Sequence, residues 1–253
     1  MRKSPARPVG RHGNFRLRDM KRLLTVLLTA FIPLTIMGQV FKSDTYSTPL
    51  GEITVTPIGH GSLMIAFDGK VIHIDPYGSV ADYAKLPKAD LILITHEHSD
   101  HFDPEAIALI RKPDTEIIST RLVAERMPGV RVVSNGETTD WDGIRIEAVP
   151  AYNIQRMRSP GVPYHPKGDG NGYVLNFGDF RLYVAGDTEL IPEMKELGKI
   201  DVAFLPKMLP YTMSDDEFLE AARVVHPKAL YPYHFLKADR PRLREELPGI
   251  EIR

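Results

Sequence analysis

Cysteine is absent from this sequence of 253 residues. Its absence excludes disulfide bonds, thiolate metal ligands, a cysteine nucleophile and attachment of a lipid through cysteine, and it leaves the redox compartment open. A bound metal ion would therefore depend on the nine histidines and on the 33 Asp and Glu residues.

Basic runs are absent beyond the N-terminus. Residues 1–38 hold eight Lys or Arg and one Asp, so removing their charge of +7 changes the formal net charge from −1 to −8. Proteins that bind nucleic acids normally need a basic surface that neutralises phosphates. The composition beyond residue 38 therefore argues against a nucleic-acid partner, including the long polymers on which nucleases act.

Residues 1–38 have the pattern of an export signal. The basic segment ends in Met20-Lys21-Arg22, where translation could also start, and an apolar run follows from Leu23 to Met37. This run is short for a membrane span. We predict a signal peptide that is cleaved after Gly38 and a periplasmic or secreted domain over residues 39–253. The alternative is an uncleaved membrane anchor, with membrane contact only through residues 23–37.

Strand patterns dominate the rest of the chain and occur in two similar halves. Turn signatures at Asp68-Gly69, Asp142-Gly143 and Gly178-Asp179 separate apolar runs of strand length. Short helical patterns follow in each half, over residues 104–111, 121–127, 192–197 and 215–225. Two strand-rich halves followed by helices predict two sheets packed face to face, with helices outside. The polar stretch 42–48 carries no strand prediction.

One long stretch, residues 151–171, is rich in Pro and Gly and predicts an irregular loop. Loops of this length in a compact domain are usually functional, so we expect this one to face the substrate. Three of its basic residues, Arg156, Arg158 and Lys167, could meet an anionic group, although exposed basic residues on loops often bind nothing specific.

The apolar run Leu91 to Ile94 leads directly into Thr95-His96-Glu97-His98-Ser99-Asp100-His101. Three imidazoles and a carboxylate at the end of a buried strand are unfavourable unless they share a partner, and a divalent cation satisfies all of them. A solvated polar loop would explain the composition, but this density directly after a core strand favours a metal site. Two further strand patterns end in a polar residue, Asp187 and His234. If these strands are neighbours, their ends converge at one edge.

This combination of motifs, His96-x-His98-x-Asp100-His101, Gly186-Asp187-Thr188 and His234, resembles the metallo-β-lactamase superfamily over nearly all of residues 50–235. The resemblance implies an α/β fold, the four-layer αββα sandwich, and two divalent metal ions that are usually zinc and sometimes manganese or iron. Three more segments are similar to the branch that contains the ascorbate-6-phosphate lactonase and relatives of N-acyl phosphatidylethanolamine phospholipase D, namely Gly59-His60-Gly61-Ser62, Asp75-Pro76 and His165-Pro166-Lys167-Gly168.

The resemblance also implies roles for individual residues. His96 and His98 would bind the first metal ion. Asp100, His101 and His234 would bind the second, and Asp187 would bind both ions. Relatives place a third histidine of the first site just after residue 150, where this chain has Ala151-Tyr152-Asn153. We prefer His165 for that position, with Asn153 or an open position as the alternatives. Supporting or substrate-binding roles are expected for His60, Asp75, Asn153, Lys167 and Tyr211, and ordinary hydrogen-bonded turn positions would also explain His60 and Asp75.

Two metal ions that share a water imply hydrolysis by a metal-bridged hydroxide, which attacks a carbonyl carbon or a phosphorus while Asp100 orients it or carries its proton. We predict a hydrolase that acts on a small ester, lactone or phosphoester. The alternatives are a peripheral phosphodiesterase of phospholipase D type, which would need an apolar surface patch near the site or a retained anchor, and a metal-binding protein without turnover. The sequence indicates neither the substrate nor the oligomeric state.

Overall fold

A computed structural model describes residues 41–235 and 238–253. The predicted signal segment, its cleavage after Gly38 and the alternative start at Met20 lie outside the described residues. Over the described residues, no helix combines the length and apolarity needed to cross a membrane.

The first half of the chain forms a seven-stranded sheet in sequential order, from β1 to β7. The first four strands are antiparallel, and β4 to β7 are parallel. Two helices, α1 and α2, lie in the connections between the parallel strands. The bounds are β1 Asp44–Thr48, β2 Gly51–Gly59, β3 Ser62–Phe67, β4 Lys70–Ile74, β5 Leu91–Leu93, α1 Pro104–Ile110, β6 Glu116–Ser119, α2 Arg121–Ala124 and β7 Arg131–Val132.

The second half builds another seven-stranded sheet, in the order β16-β15-β14-β13-β12-β9-β8, while β10 and β11 pair only with each other. Again the first strands are antiparallel and the last four parallel. The bounds are β8 Thr138–Trp141, β9 Ile144–Ala151, β10 Met157–Ser159, β11 Val162–Pro163, β12 Gly170–Phe177, β13 Phe180–Val184, β14 Val202–Pro206, α3 Asp215–Val225, β15 Ala229–Tyr233, α4 Arg240–Glu246 and β16 Glu251–Ile252.

The core between the sheets is built from alternate residues of their strands. Leu91 and Leu93 of β5 point into it, together with Leu175 of β12 and Phe204 of β14. The intervening residues point outward, so Ile92 packs in a separate apolar cluster with α1. Because side chains alternate across a strand, a strand covered on both faces is apolar throughout. The predicted αββα sandwich, an α/β fold with the sheets face to face, is confirmed.

Local signals located most elements well. The Asp68-Gly69 turn joins β3 to β4 with both residues at positive φ, 46° and 73°, as a two-residue hairpin requires. Helix α3 begins at the predicted residue, after a capping box in which Ser214 accepts from the backbone of Glu217 and the Glu217 side chain accepts from the backbone of Ser214. Helix α2 begins at the predicted residue, Arg121, but it ends at Ala124, three residues before the predicted end at residue 127.

Two predictions about irregular segments are wrong. Residues 44–48 form the edge strand β1, whose side chains alternate between exposed and half-buried positions against β2. Its polar composition suits an edge that faces water, which is why no apolar run marks it. The stretch 151–171 is only partly irregular, because it contains the short hairpin of β10 and β11. Strands of two or three residues carry too little pattern to be recognised.

Candidate metal centre

The expected convergence of strand ends occurs at one edge of the sandwich. The segment 95–101 follows β5 in the first sheet, whereas Asp187 and His234 follow β13 and β15 in the second. His101 Nε2 lies 3.4 Å from Asp187 Oδ1, and His234 Nε2 lies 3.2 Å from Asp187 Oδ2. The two sheets pack face to face, so strand ends of the first sheet and of the second meet at this edge and bring residues from both halves of the chain into one cluster.

A first group contains His96, His98 and His165. His98 Nδ1 lies 3.1 Å from His96 Nε2 and 3.2 Å from His165 Nε2. Ligands that bind a tetrahedral zinc ion at about 2.0–2.1 Å are about 3.3 Å apart. The nitrogen atoms of this group therefore have the spacing of a coordination shell.

A second group contains His60, Asp100, His101 and His234, and the family resemblance implies the last three as ligands. Asp100 Oδ2 lies 3.4 Å from His234 Nε2 and 3.8 Å from His101 Nε2. Asp187 contacts both groups, because its Oδ2 lies 3.3 Å from His165 Nε2 of the first and 3.2 Å from His234 Nε2 of the second. One carboxylate thus joins the two groups.

Hydrogen bonds on the outer side of three histidines fix which nitrogen faces the centre. Nδ1 of His101 donates to Asp75 at 2.8 Å, and Nδ1 of His165 donates to Asn153 at 2.7 Å. Nδ1 of His96 lies 3.0 Å from the hydroxyl of Thr95, which itself donates to Asp75. In the neutral form of each ring, Nε2 thereby carries the lone pair and faces inward, as metal-binding histidines require.

Several inward atoms make no hydrogen bond, although they lie 3.2–3.4 Å from oppositely charged or polar neighbours in the cluster. Among the described residues, His101 Nε2, Asp187 Oδ1 and His234 Nε2 are buried without a hydrogen bond. Leaving a buried polar atom unsatisfied costs about 1–3 kcal/mol, and three such atoms in one cluster would be strongly destabilising. A divalent cation satisfies all three, so the residues present fit a metal centre.

Burial and neighbouring charges set the protonation states of the cluster. Burial lowers the pKa of His96 well below its usual range, and the charge of His101 acts in the same direction. Burial raises the pKa of Asp187, but His234 and His101 outweigh it and hold that pKa well below its usual range. His101 is the exception, because Asp187 and Asp75 overcome burial and raise its pKa well above the ordinary value. A metal ion must therefore displace a proton from His101.

His60 and Asp75 both lie against candidate ligands, as their predicted supporting roles require. His60 Nε2 is 2.8 Å from Asp100 Oδ2, and its ring lies 3.9 Å from the ring of His234. Asp75 is fully buried and accepts hydrogen bonds from the backbone and the hydroxyl of Thr95 besides that from His101. His60, Asp75 and His234 all have positive φ, between 47° and 52°, so each turns the chain sharply at a strand end.

The structure distinguishes His165 from Asn153, the two candidates for the third position of the first group. His165 reaches the group, whereas the Asn153 side chain lies behind it and accepts from both the backbone N–H and Nδ1 of His165. The Asn153 amide donates to Glu189 and to the backbone of Tyr211. Asn153 therefore orients His165 and faces away from the centre.

Sequence reasoning missed Glu189, which is only 1% exposed. Its carboxylate accepts from the backbone N–H groups of Ile154, Gln155 and Arg156 at 2.6–3.1 Å, in addition to the bond from Asn153. One buried acidic residue thus holds the start of the 151–171 loop. The sequence offered one signal for Glu189, its position two residues after Asp187 and close to the end of an apolar strand pattern.

A cavity of about 390 Å³ opens over the cluster. Besides candidate ligands, it is lined by Arg158, Tyr164, Met208 and Tyr211. Tyr211 therefore lies where a substrate-facing residue is expected. Lys167 lies elsewhere, because its ammonium pairs with Glu193 at 2.7 Å and rests over the ring of Tyr152. A substrate-binding role for Lys167 stays a prediction without support from its contacts.

The sandwich and its histidine–aspartate cluster together define a metal-dependent hydrolase of the metallo-β-lactamase fold. A model described as beta-lactamase superfamily domain matches residues 54–234. The chain belongs to this β-lactamase superfamily.

Individual relatives agree with this assignment. The chain is 33% identical to a UPF0173 metal-dependent hydrolase of Nanoarchaeum equitans, in an alignment that covers 72% of this chain and 86% of the relative. It is similar to the crystal structure of a proposed metal-dependent hydrolase from Parabacteroides distasonis, with 47% identity, a TM-score of 0.80 and coverage of 84% and 97%. A metallo hydrolase of Ignicoccus hospitalis, Igni18, is also similar, with 27% identity, a TM-score of 0.64 and coverage of 79% and 94%.

Proposed function

We propose that the protein hydrolyses a carboxylic ester, a lactone or a phosphoester of a small molecule, with two divalent metal ions, zinc by preference, as cofactors. His96, His98 and His165 would hold one ion, and Asp100, His101 and His234 the other, with Asp187 shared. The observation that carries the proposal is the pair of ligand groups joined by one buried carboxylate, with unpartnered atoms facing inward. Histidine and carboxylate ligands without thiolates suit zinc, and also manganese or iron.

Bound there, divalent cations would lower the pKa of a water towards neutral and stabilise the negative charge that develops on the attacked group. The protein contributes the orientation of that water. Asp100 is 32% exposed in its side chain and faces the cavity, and its hydrogen bond and ion pairs all use Oδ2. Oδ1 is therefore the oxygen that can accept a hydrogen bond from the attacking water and orient it, while His60 keeps the carboxylate in place. Burial raises the pKa of Asp100, but its contacts with His234 and His60 outweigh burial and hold that pKa below its usual range, so orientation is favoured over proton transfer.

Elemental analysis combined with turnover tests this proposal. The purified protein is assayed with a nitrophenyl ester, a nitrophenyl phosphodiester and a lactone, before and after treatment with a chelator. We expect about two metal ions per chain and turnover of at least one substrate that the chelator abolishes and added zinc restores. His226→Asn is a matched control, since His226 is exposed at a helix end with φ of 46°, which Asn tolerates. Metal binding without turnover of any substrate would leave a binding role only.

A second candidate, cleavage of a membrane lipid, is favoured by one observation. Among the described residues, five of the eight exposed large hydrophobic side chains lie in two segments that also line the cavity: Ile154, Met157, Val162, Leu209 and Tyr211. An apolar rim of this kind suits the surface of a lipid bilayer or micelle. Activity on phospholipid vesicles that exceeds activity on the soluble esters, and that falls in the Met157→Ser/Val162→Ser double variant, would favour this candidate.

A further inference from the structure

The loop 151–171 contains three basic side chains that differ in their partners. Arg156 forms ion pairs with Glu217 and Glu189, and Lys167 pairs with Glu193. Arg158 forms no ion pair with any carboxylate in the part of the chain that the structure describes; its guanidinium contacts only His98 and the backbone oxygen of Tyr164. Arg158 is therefore the cation of this loop that is free to meet an anion, and it lines the cavity over the metal centre.

Metal binding by His98 would change its contact with Arg158. Arg158 Nη2 lies 3.2 Å from His98 Nε2, while His98 Nδ1 faces the first ligand group. A histidine that binds a metal ion through Nδ1 carries its proton on Nε2. The guanidinium is always protonated, so two N–H donors then face each other at this place. An oxygen atom with negative charge can accept from both.

The rest of the cavity wall is aromatic and apolar. The rings of Tyr164 and Tyr211 meet edge to face, with their centroids 5.0 Å apart, and Met208 lies beside them. This wall suits an apolar or planar part of a substrate. The cavity therefore offers a cationic group next to the candidate metal ligands and an apolar wall made of Tyr164, Met208 and Tyr211.

We propose that Arg158 and the outward N–H of His98 bind an anionic group of the substrate, a carboxylate or a phosphate that is not itself cleaved. The substrates are thus anionic esters, lactones or phosphoesters with an apolar or planar body. This inference rests on the proposed hydrolytic function, which it makes more specific. A group held between Arg158 and His98 places the scissile bond beside the metal ligands, because His98 belongs to both sites.

Two nitrophenyl esters with the same scissile bond test the inference. Nitrophenyl acetate is neutral, whereas the nitrophenyl monoester of succinate carries a free carboxylate. We expect the wild-type protein to prefer the succinate ester in kcat/KM, and Arg158→Gln to lower kcat/KM for that ester by about 10- to 100-fold with little change for acetate, because a charge-assisted hydrogen bond is lost. Arg158→Lys should recover part of the preference. Arg145→Gln, which alters an exposed arginine at the far end of β9, is the matched control.

Equal loss of activity on both esters in Arg158→Gln, or no preference in the wild type, would overturn the inference.

Calorimetry separates the proposed anion site from the proposed hydrolytic function. Inorganic phosphate and succinate are titrated into the zinc-loaded wild type, Arg158→Gln and Arg145→Gln, and we expect binding of at least one anion to weaken about tenfold in Arg158→Gln alone. Anion binding that depends on Arg158, without turnover of any ester, would uphold the anion site and contradict the hydrolase. The anion whose binding weakens more in Arg158→Gln identifies whether the substrate group is a carboxylate or a phosphate. Turnover with anion binding that does not depend on Arg158 would uphold the hydrolase and reject the anion site.

Discussion

The two sides of the metal centre are held in place by different means. On the strand side, His96, His101, Asp187 and His234 follow the ends of core strands, and backbone hydrogen bonds between neighbouring segments fix them, such as Ile94 N–H to Ile118 at 3.0 Å. On the loop side, His165 lies in the 151–171 loop and depends on side chains, Asn153 and Glu189. The strand side is therefore part of the fold, whereas the loop side can change with few substitutions.

The difference between the two sides indicates which parts of the centre can vary with the substrate and which cannot. The candidate ligands of the strand side follow strands that pack in the core between the sheets, so moving them would disturb that packing. The loop side carries Arg158 and Tyr164 of the cavity wall on the same stretch as His165. A change in this loop would therefore affect the cavity wall and one candidate metal ligand together. The buried carboxylate of Glu189 anchors the start of the loop.

The largest effect is expected from Asp187→Asn, which changes the residue shared by both groups. An amide offers one neutral oxygen in place of two charged ones, so both groups lose a ligand and the neighbouring histidines lose a counter-charge. We expect metal content well below that of the wild type and turnover reduced by at least about 100-fold. Elemental analysis and rates measured with excess zinc check this. An Asn variant that keeps its full metal content would show that Asp187 is not shared.

Asp75→Asn tests the strand side. Asp75 is fully buried and holds both His101 and Thr95, so its replacement weakens metal binding and the fold together. We expect metal affinity to fall about 10- to 100-fold and the free energy of unfolding to fall by about 1.5–3 kcal/mol. Competition with a chromogenic chelator and denaturant titration measure the two effects. Loss of metal affinity with unchanged stability would contradict the view that this side belongs to the fold.

Asn153→Ala tests the loop side. The variant removes the acceptor that orients His165, so the first ligand group should lose about tenfold in metal affinity while the second keeps its affinity. Global stability should change less than in Asp75→Asn, and proteolysis should become faster within residues 154–164. Stepwise zinc titration followed by calorimetry resolves the two affinities. Equal weakening of both steps would mean that the two sides are not independent.

The pH dependence of the metal-free protein gives a smaller effect that also concerns the strand side. The pKa of His101 is raised above its unfolded value of about 6.5, so its contribution to stability is complete below that pH and is lost as the pH rises through the folded pKa. The pKa of Asp187 is lowered, so its contribution is present above about pH 4 and is lost as the pH falls. Burial lowers the pKa of His96, His98 and His73, so their contribution is lost as the pH falls below about 6.5. We expect the chelator-treated protein to be most stable near about pH 6.5, with His101→Gln flattening the decline at higher pH in urea titrations.

The smallest effect is expected from Lys167→Ala. Lys167 pairs with Glu193 at the surface and does not line the cavity, so turnover and metal content should stay within about twofold of the wild type. Initial rates on the best substrate measure this. A large rise in KM would show that Lys167 turns towards the substrate and that the sequence-based expectation for it was right.

The sequence predicted the strand side far better than the loop side. Leu91 to Ile94 followed by the histidine motif is a local pattern, and Asp187 and His234 each end an apolar strand pattern, so the family resemblance could assign all of them from the sequence. His165 required a choice, because no local rule states how a loop of this length folds back. Glu189 could not be assigned, since its function is to bind backbone N–H groups of residues far away in the chain.

The same dependence on partners far away in the chain accounts for the errors in the predicted secondary structure. Strand β1 and the hairpin of β10 and β11 exist because a partner strand is available, and their own residues carry little apolar alternation. The double-sided burial of β5 and β14, by contrast, leaves continuous apolar runs that can be recognised directly.

Zinc titration of the metal-free wild-type protein and of Asn153→Ala, followed by calorimetry, tests the central claim most directly. We expect about two zinc ions per chain for the wild type, and for Asn153→Ala one step that keeps its affinity and one that is weakened about tenfold. A single zinc ion per chain, or no difference between the two proteins, would contradict a centre made of two groups with separately held sides.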